Sequence, residues 1–132
     1  MMIPTWYNNN YHIVQAPGYV AILYEMMHDV RIIPLGWRPH LDPHVPQWLG
    51  DSRGRWEGDT LVVDVTDFSP YTWFDRAGNF HSDALHVVER YTPISSNAIR
   101  YEATMEDEKV FTRPWTISLP LYRRLEPNAQ VL

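Results

Sequence analysis

Between Asp75 and Tyr91 the sequence DRAGNFHSDALHVVERY gathers two histidines, three carboxylates and two arginines beside a row of β-forming residues. Those residue types suit proton transfer: a carboxylate and an imidazole exchange protons, a phenol donates a hydrogen bond, and a guanidinium holds an anion. The acid–base set expected from this stretch and its neighbours is Glu89 and His81 as proton carriers and Tyr101 as donor. Arg76 would hold an anionic substrate group, with Asp75 orienting it or an imidazole. The competing account is that Asp75, Ala77, Gly78 and Asn79 only form a turn, with Ser82 or Asp83 capping another.

A second polar stretch, GWRPHLDPHVPQWLGDSRG (36–54), holds His40 and His44 with Asp42 between them. Four histidines, His40, His44, His81 and His86, make up an alternative, a divalent-metal site, since cysteine is absent and any metal would need His and carboxylate ligands. No cofactor is required by the acid–base reading. Trp37 and Trp48 flank these histidines as a lid or a ring platform, and Trp73 and His86 complete the expected ligand contacts.

These residues need a scaffold, and alternation with turn punctuation about every ten residues predicts an antiparallel sheet. Strands are expected at 11–16, 19–26, 29–35, 53–58, 60–68, 84–94, 98–107 and 115–124, with a short helical turn near Asp42–Trp48 or at the tail. Pro17-Gly18 and Gly58-Asp59 read as hairpin turns. Sequential strands with short links are satisfied by closure into an up-and-down β-barrel of about eight strands, which leaves no exposed edges. A two-layer β-sandwich or jelly roll is the alternative.

Period-two alternation from Ala84 puts Leu85, Val87, Glu89 and Tyr91 on one face and His86, Val88 and Arg90 on the other. If the apolar face is interior, Glu89 is an acid in an apolar cavity, and desolvation would raise its pKa. It would then need an arginine or tyrosine partner, and Tyr101 is positioned to be one. Arg90, Arg100 and Glu102 read as cross-strand ion pairs on a wet face.

Length and composition bound the functional classes. A chain of 132 residues is the size of one domain, so residues 1–132 are expected to form a single β-barrel domain. Its formal charge of -5 and single lysine, Lys109, argue against nucleic acid. No stretch approaches the length of a membrane span, and the N-terminus lacks the layout of a signal peptide, though a removed one would leave no trace. The expected partner is a small, partly apolar molecule bound at a mouth built from 36–54 and 69–83, with a homodimer allowed.

The stretches WLGDSRGRWEGDTLVVDVTDF, TWFDRAGNFHSDALHVVERY and YEATMEDEKVFTRPW resemble those of a family of bacterial proteins of unknown function common in soil and environmental sequence sets. The resemblance spans about Ile13 to Arg124 and implies no particular reaction. It does imply a C-terminal domain related to longer, in some members exported, proteins. Gly54-Arg55-Trp56 is similar to the Gly-x-Trp signature of lipocalin and fatty-acid-binding barrels, in which Trp plugs the barrel floor. The function expected is therefore small-molecule binding, as a cofactor-independent isomerase, lyase or hydrolase. The alternatives are a non-catalytic module of a larger exported protein and a His-ligated metalloenzyme.

Overall fold

The computed structural model describes residues 9–36, 38–75 and 77–131. Eight antiparallel strands follow one another: β1 (Tyr11–Ala16), β2 (Tyr19–Tyr24), β3 (Asp29–Pro34), β4 (Asp51–Glu57), β5 (Thr60–Thr66), β6 (His86–Ser95), β7 (Ala98–Glu106) and β8 (Trp115–Tyr122). Each expected strand is present, with ends displaced by a few residues. The second stops at Tyr24 because a 3₁₀ turn, Met26–His28, intervenes, with Met27 and His28 at positive φ. That turn is the only helical element among the described residues, and 42–48 forms turns instead.

The barrel does not close. The strands form a three-stranded sheet, β1-β2-β3, and a five-stranded sheet, β4-β5-β6-β7-β8, each an uninterrupted meander. Neighbours within each sheet pair antiparallel, β5 and β6 across the long 67–85 loop, but the connection from β3 to β4 brings those strands together in parallel, and only the bridge Leu35–Gly54 forms between them. β1 and β8 are left as the outer edges.

One face of each sheet makes the shared core. Val20, Ile22 and Ile33 meet Leu61, Val63, Val65, Val87, Tyr91, Tyr101, Ala103 and Met105, all buried. Trp115, Ile117, Leu119 and Leu121 of β8 pack on this core only partly buried, as an edge strand would. Trp56 shares the inward face of β4 with Ser52 and Gly54 but sits at the strand's end and is 47% exposed, so it does not plug a barrel floor. Gly54 matters more. A Cβ there would lie 2.9 Å from side-chain atoms of both Ile33 and Leu35, so the missing side chain lets the two sheets approach.

Gly50 carries a sharper constraint, because it leads into β4 with φ +73 and a Cβ there would stand 2.7 Å from Val65 and 2.9 Å from the Thr66 carbonyl oxygen. Backbone cannot yield as a flexible side chain can. Gly50→Ala is expected to lower stability by about 2–3 kcal/mol through strain and overpacking. Urea unfolding followed by tryptophan fluorescence measures this, and a loss below about 0.5 kcal/mol contradicts it.

Candidate functional site

Glu89 faces inward from β6 and is fully buried. Its partner is Arg31, which reaches across from β3 in the other sheet to Glu89 Oε2. Tyr101 and Tyr91 donate to Glu89 Oε1 at 2.7 and 3.3 Å, and Arg31 Nε donates to Ser52 Oγ at 2.9 Å. A buried carboxylate is thus fixed by a guanidinium and two phenols. Burial pushes the Glu89 carboxyl up, but the Arg31 charge beside it prevails and holds it well below the usual carboxylate range. The raised pKa expected from desolvation alone is corrected accordingly. Burial and the neighbouring Glu89 charge push the Tyr91 phenol well above its ordinary value. The cluster ties the sheets together, and its ionised acid is shielded from solvent.

His81 is not beside Glu89. It is buried in the 69–83 loop, where Nδ1 donates to the Ser82 carbonyl at 3.0 Å and Nε2 meets Thr72 Oγ1 at 2.7 Å. Phe68 and Phe74 pack against its ring. Asp107, which sequence reasoning overlooked, anchors the same loop by accepting from the Ser82 amide and hydroxyl at 2.7 Å each. Asp75 closes a turn, accepting from the Asn79 amide and side chain at 3.1 and 2.6 Å, bonds that lower its carboxyl pKa. His81→Ala is expected to cost about 2 kcal/mol of stability through lost packing and the lost bond to Thr72, whose hydroxyl keeps the Ser69 carbonyl, with affinity for an anion at the arginine-lined groove unchanged. Parallel unfolding and binding measurements separate the two effects.

The remaining expected residues are dispersed. Trp48 and Trp73 are exposed on different loops, His44 is exposed and bonded to Asp42 at 2.6 Å, and Trp37 and Arg76 lie outside the described residues. His40 and His86, by contrast, converge. Asp64 on β5 points to the outer face of the five-stranded sheet, where its Oδ1 meets His86 Nε2 at 2.6 Å and its Oδ2 meets His40 Nε2 at 2.7 Å. The other nitrogen of His40, Nδ1, lies 2.8 Å from Asp51 Oδ2. The result is a chain Asp51, His40, Asp64, His86 in which acid and imidazole alternate. Burial pushes the Asp64 carboxyl up, yet bonds from His86 and His40 outweigh this and hold it below its ordinary value. A neutral imidazole donates from only one nitrogen, so His40 serves both carboxylates as a donor only when it carries two protons.

This chain borders a groove of about 420 Å³. Arg38, Arg53 and Arg55 line it together with His40 and Asp64. Arg53 is fixed by Asp51 at 2.7 Å and by the Pro39 carbonyl at 3.0 Å, which also hold the 38–41 segment against β4. Arg55 and Arg90 both pair with Glu57, at 2.9 and 2.8 Å, and flank the buried Val62 in register. The Arg38 amide donates to the Gly36 carbonyl at 2.9 Å, while its exposed side chain makes no hydrogen bond or ion pair with the described residues. Three of the chain's eleven basic side chains thus line one groove of an acidic protein.

Among the described residues, one group of three metal-ligand types comes together: His40, Asp51 and Asp67, with ligand atoms within 4.8 Å of one another. Only His40 of the four histidines expected to hold a metal belongs to it. Asp51 Oδ1 is already engaged by Arg53.

Sequence reasoning singled out His40 and His86 but missed Asp51, Asp64 and the three arginines. One signal was available: Asp64 is a lone charge inside the apolar run LVVDV, on the same face as the outward residues of β5. What pairs with it depends on the β5 to β6 register and on the path of a long loop. Comparison with models of known protein families, with curated proteins and with solved structures finds no match, so function is argued from the groove itself.

Proposed function

We propose that this protein binds a small anionic molecule in the groove of Arg38, Arg53 and Arg55, and that His40 exchanges a proton with it in acid–base chemistry once the ligand takes the place of Asp64 at Nε2. The observation that carries this reading is the juxtaposition of three guanidiniums with an imidazole held between two carboxylates. Guanidinium forks match carboxylate and phosphate oxygens, giving affinity and orientation. His40 borders the groove, and Asp64, which the ligand would displace from it, stays bonded to the half-exposed His86 and can return to His40 when the ligand leaves. Glu89 and His81, expected to be the proton carriers, are buried away from solvent, and His40 takes that role in the proposal. Isomerase, lyase and hydrolase chemistry all fit such an arrangement.

Titration calorimetry with malonate, inorganic phosphate and the uncharged malonamide tests the binding. Saturable binding of either anion, at least about tenfold tighter than malonamide and weakened by salt, is expected. Equal affinity for malonate and malonamide overturns it.

A divalent-metal reading rests on His40, Asp51 and Asp67. For it to hold, a cation must displace Arg53 from Asp51 or use the carboxylate's remaining oxygen. Elemental analysis of purified protein and titration with zinc or manganese decide it, and stoichiometric metal would redirect the mechanism.

A further inference from the structure

The lining of the arginine groove includes an acid, Asp64, which stands opposite Arg53 in the register of β4 and β5. A carboxylate there repels the anion that the guanidiniums attract. Its bonds show what it does in the empty groove: Oδ2 meets His40 Nε2 at 2.7 Å and Oδ1 meets His86 Nε2 at 2.6 Å. The other ring nitrogen of His40 faces Asp51 Oδ2, which also accepts from the Leu41 amide and belongs to a buried residue anchored by Arg53. Nε2 is therefore the nitrogen left for a ligand, and the Asp64 carboxylate stands where an anionic oxygen of that ligand must stand.

Only Oδ2 has to leave. Oδ1 can keep His86, whose Nδ1 lies 3.8 Å from Glu106, as the carboxylate tilts off His40. A tethered carboxylate competes at an effective concentration on the order of millimolar, so a free monocarboxylate making the same bond gains little by replacing it. A successful ligand needs a further contact. Asp64 spends its two oxygens on the imidazoles, whereas Arg38 and Arg53 offer donors in the same groove to a second anionic group.

We propose that Asp64 is a built-in competitor that closes the empty site, and that the ligand is a dianion, one group of which displaces Asp64 from His40 Nε2 while the other is held by Arg38 and Arg53. This selectivity rests on the anion-binding reading of the groove: monoanions are turned away by a carboxylate of the protein's own.

Malonate and acetate are titrated into the parent chain, Asp64→Asn, Asp64→Ser and Glu106→Gln, with affinity read by calorimetry and the His40 ring followed in ¹H–¹⁵N spectra. Serine is too short to bridge two imidazoles, and Glu106→Gln removes one negative charge from the same sheet face without touching His40. In the parent, malonate is expected to shift His40 while acetate leaves it in place over the same concentration range. Both Asp64 variants should bind malonate about tenfold or more tighter than the parent and should let acetate shift His40, whereas Glu106→Gln stays within about threefold. Malonate affinity that is unchanged or weaker in both Asp64 variants overturns the inference. So does a gain in Glu106→Gln equal to theirs, or an acetate shift of His40 in the parent equal to that of malonate. Absence of any malonate binding in the parent and in all three variants removes the anion-binding reading itself, and this selectivity with it.

Discussion

Glu89→Gln is expected to destabilise the protein by about 3–5 kcal/mol, because it leaves the Arg31 guanidinium buried without a counter-charge. Arg31→Met is expected to cost a similar amount for the mirrored reason. The double variant Arg31→Met, Glu89→Leu removes both charges at once and should be more stable than either single variant, although Tyr101 and Tyr91 then lose their acceptor. Strong coupling between the two positions is the signature of a pair joining the two sheets. Urea unfolding of the four proteins measures it, and additive losses contradict it. The pH dependence has a definite sign. Glu89 has a depressed pKa in the folded state, so its stabilising contribution is complete above the unfolded value near 4.5 and fades as pH falls below that. Glu89→Gln should therefore flatten the acid limb of the stability profile below about pH 4.5.

Removing the groove's guanidiniums gives the second large effect. Each charge-assisted hydrogen bond to an anion is worth about 1.5–3 kcal/mol, so Arg38→Ala and Arg53→Ala are each expected to weaken malonate binding by about ten- to a hundredfold. The two differ in what else they disturb. The Arg38 side chain is exposed and makes no bond to the described residues, so its loss should leave stability within about 0.5 kcal/mol of the parent. Arg53 also holds Asp51 and the Pro39 carbonyl, and its loss should additionally loosen the segment carrying His40. An Arg38→Ala protein that binds malonate as tightly as the parent places the anion elsewhere.

Much of this architecture was legible from period-two alternation. All eight strands follow from it, as does the face that Glu89 shares with Leu85, Val87 and Tyr91; that this face is the inner one is settled by the burial of all four. The open seam was not. Closure depends on whether β3 and β4 pair, and the sequence of β3, DVRIIP, has apolar residues on both faces. Arg31 and Ile33 point in while Val30 and Ile32 point out, a choice that alternation alone leaves undecided. The partner of Glu89 was hidden for the same reason, and with it the sign of the pKa shift. The chain Asp51, His40, Asp64, His86 draws on two strands' registers and a loop. Spacing along the sequence carries no direct trace of that arrangement.

The central claim is that a small anion binds where the arginines meet His40. Long-range ¹H–¹⁵N spectra of the histidine rings, recorded during titration with malonate and separately with phosphate, test it most directly. Signals of His40 should move and saturate, with a smaller response at His86 through Asp64, while His12, His28, His44 and the buried His81 stay fixed. Histidine signals that all remain in place under an excess of both anions, or drift together without saturating, would contradict it.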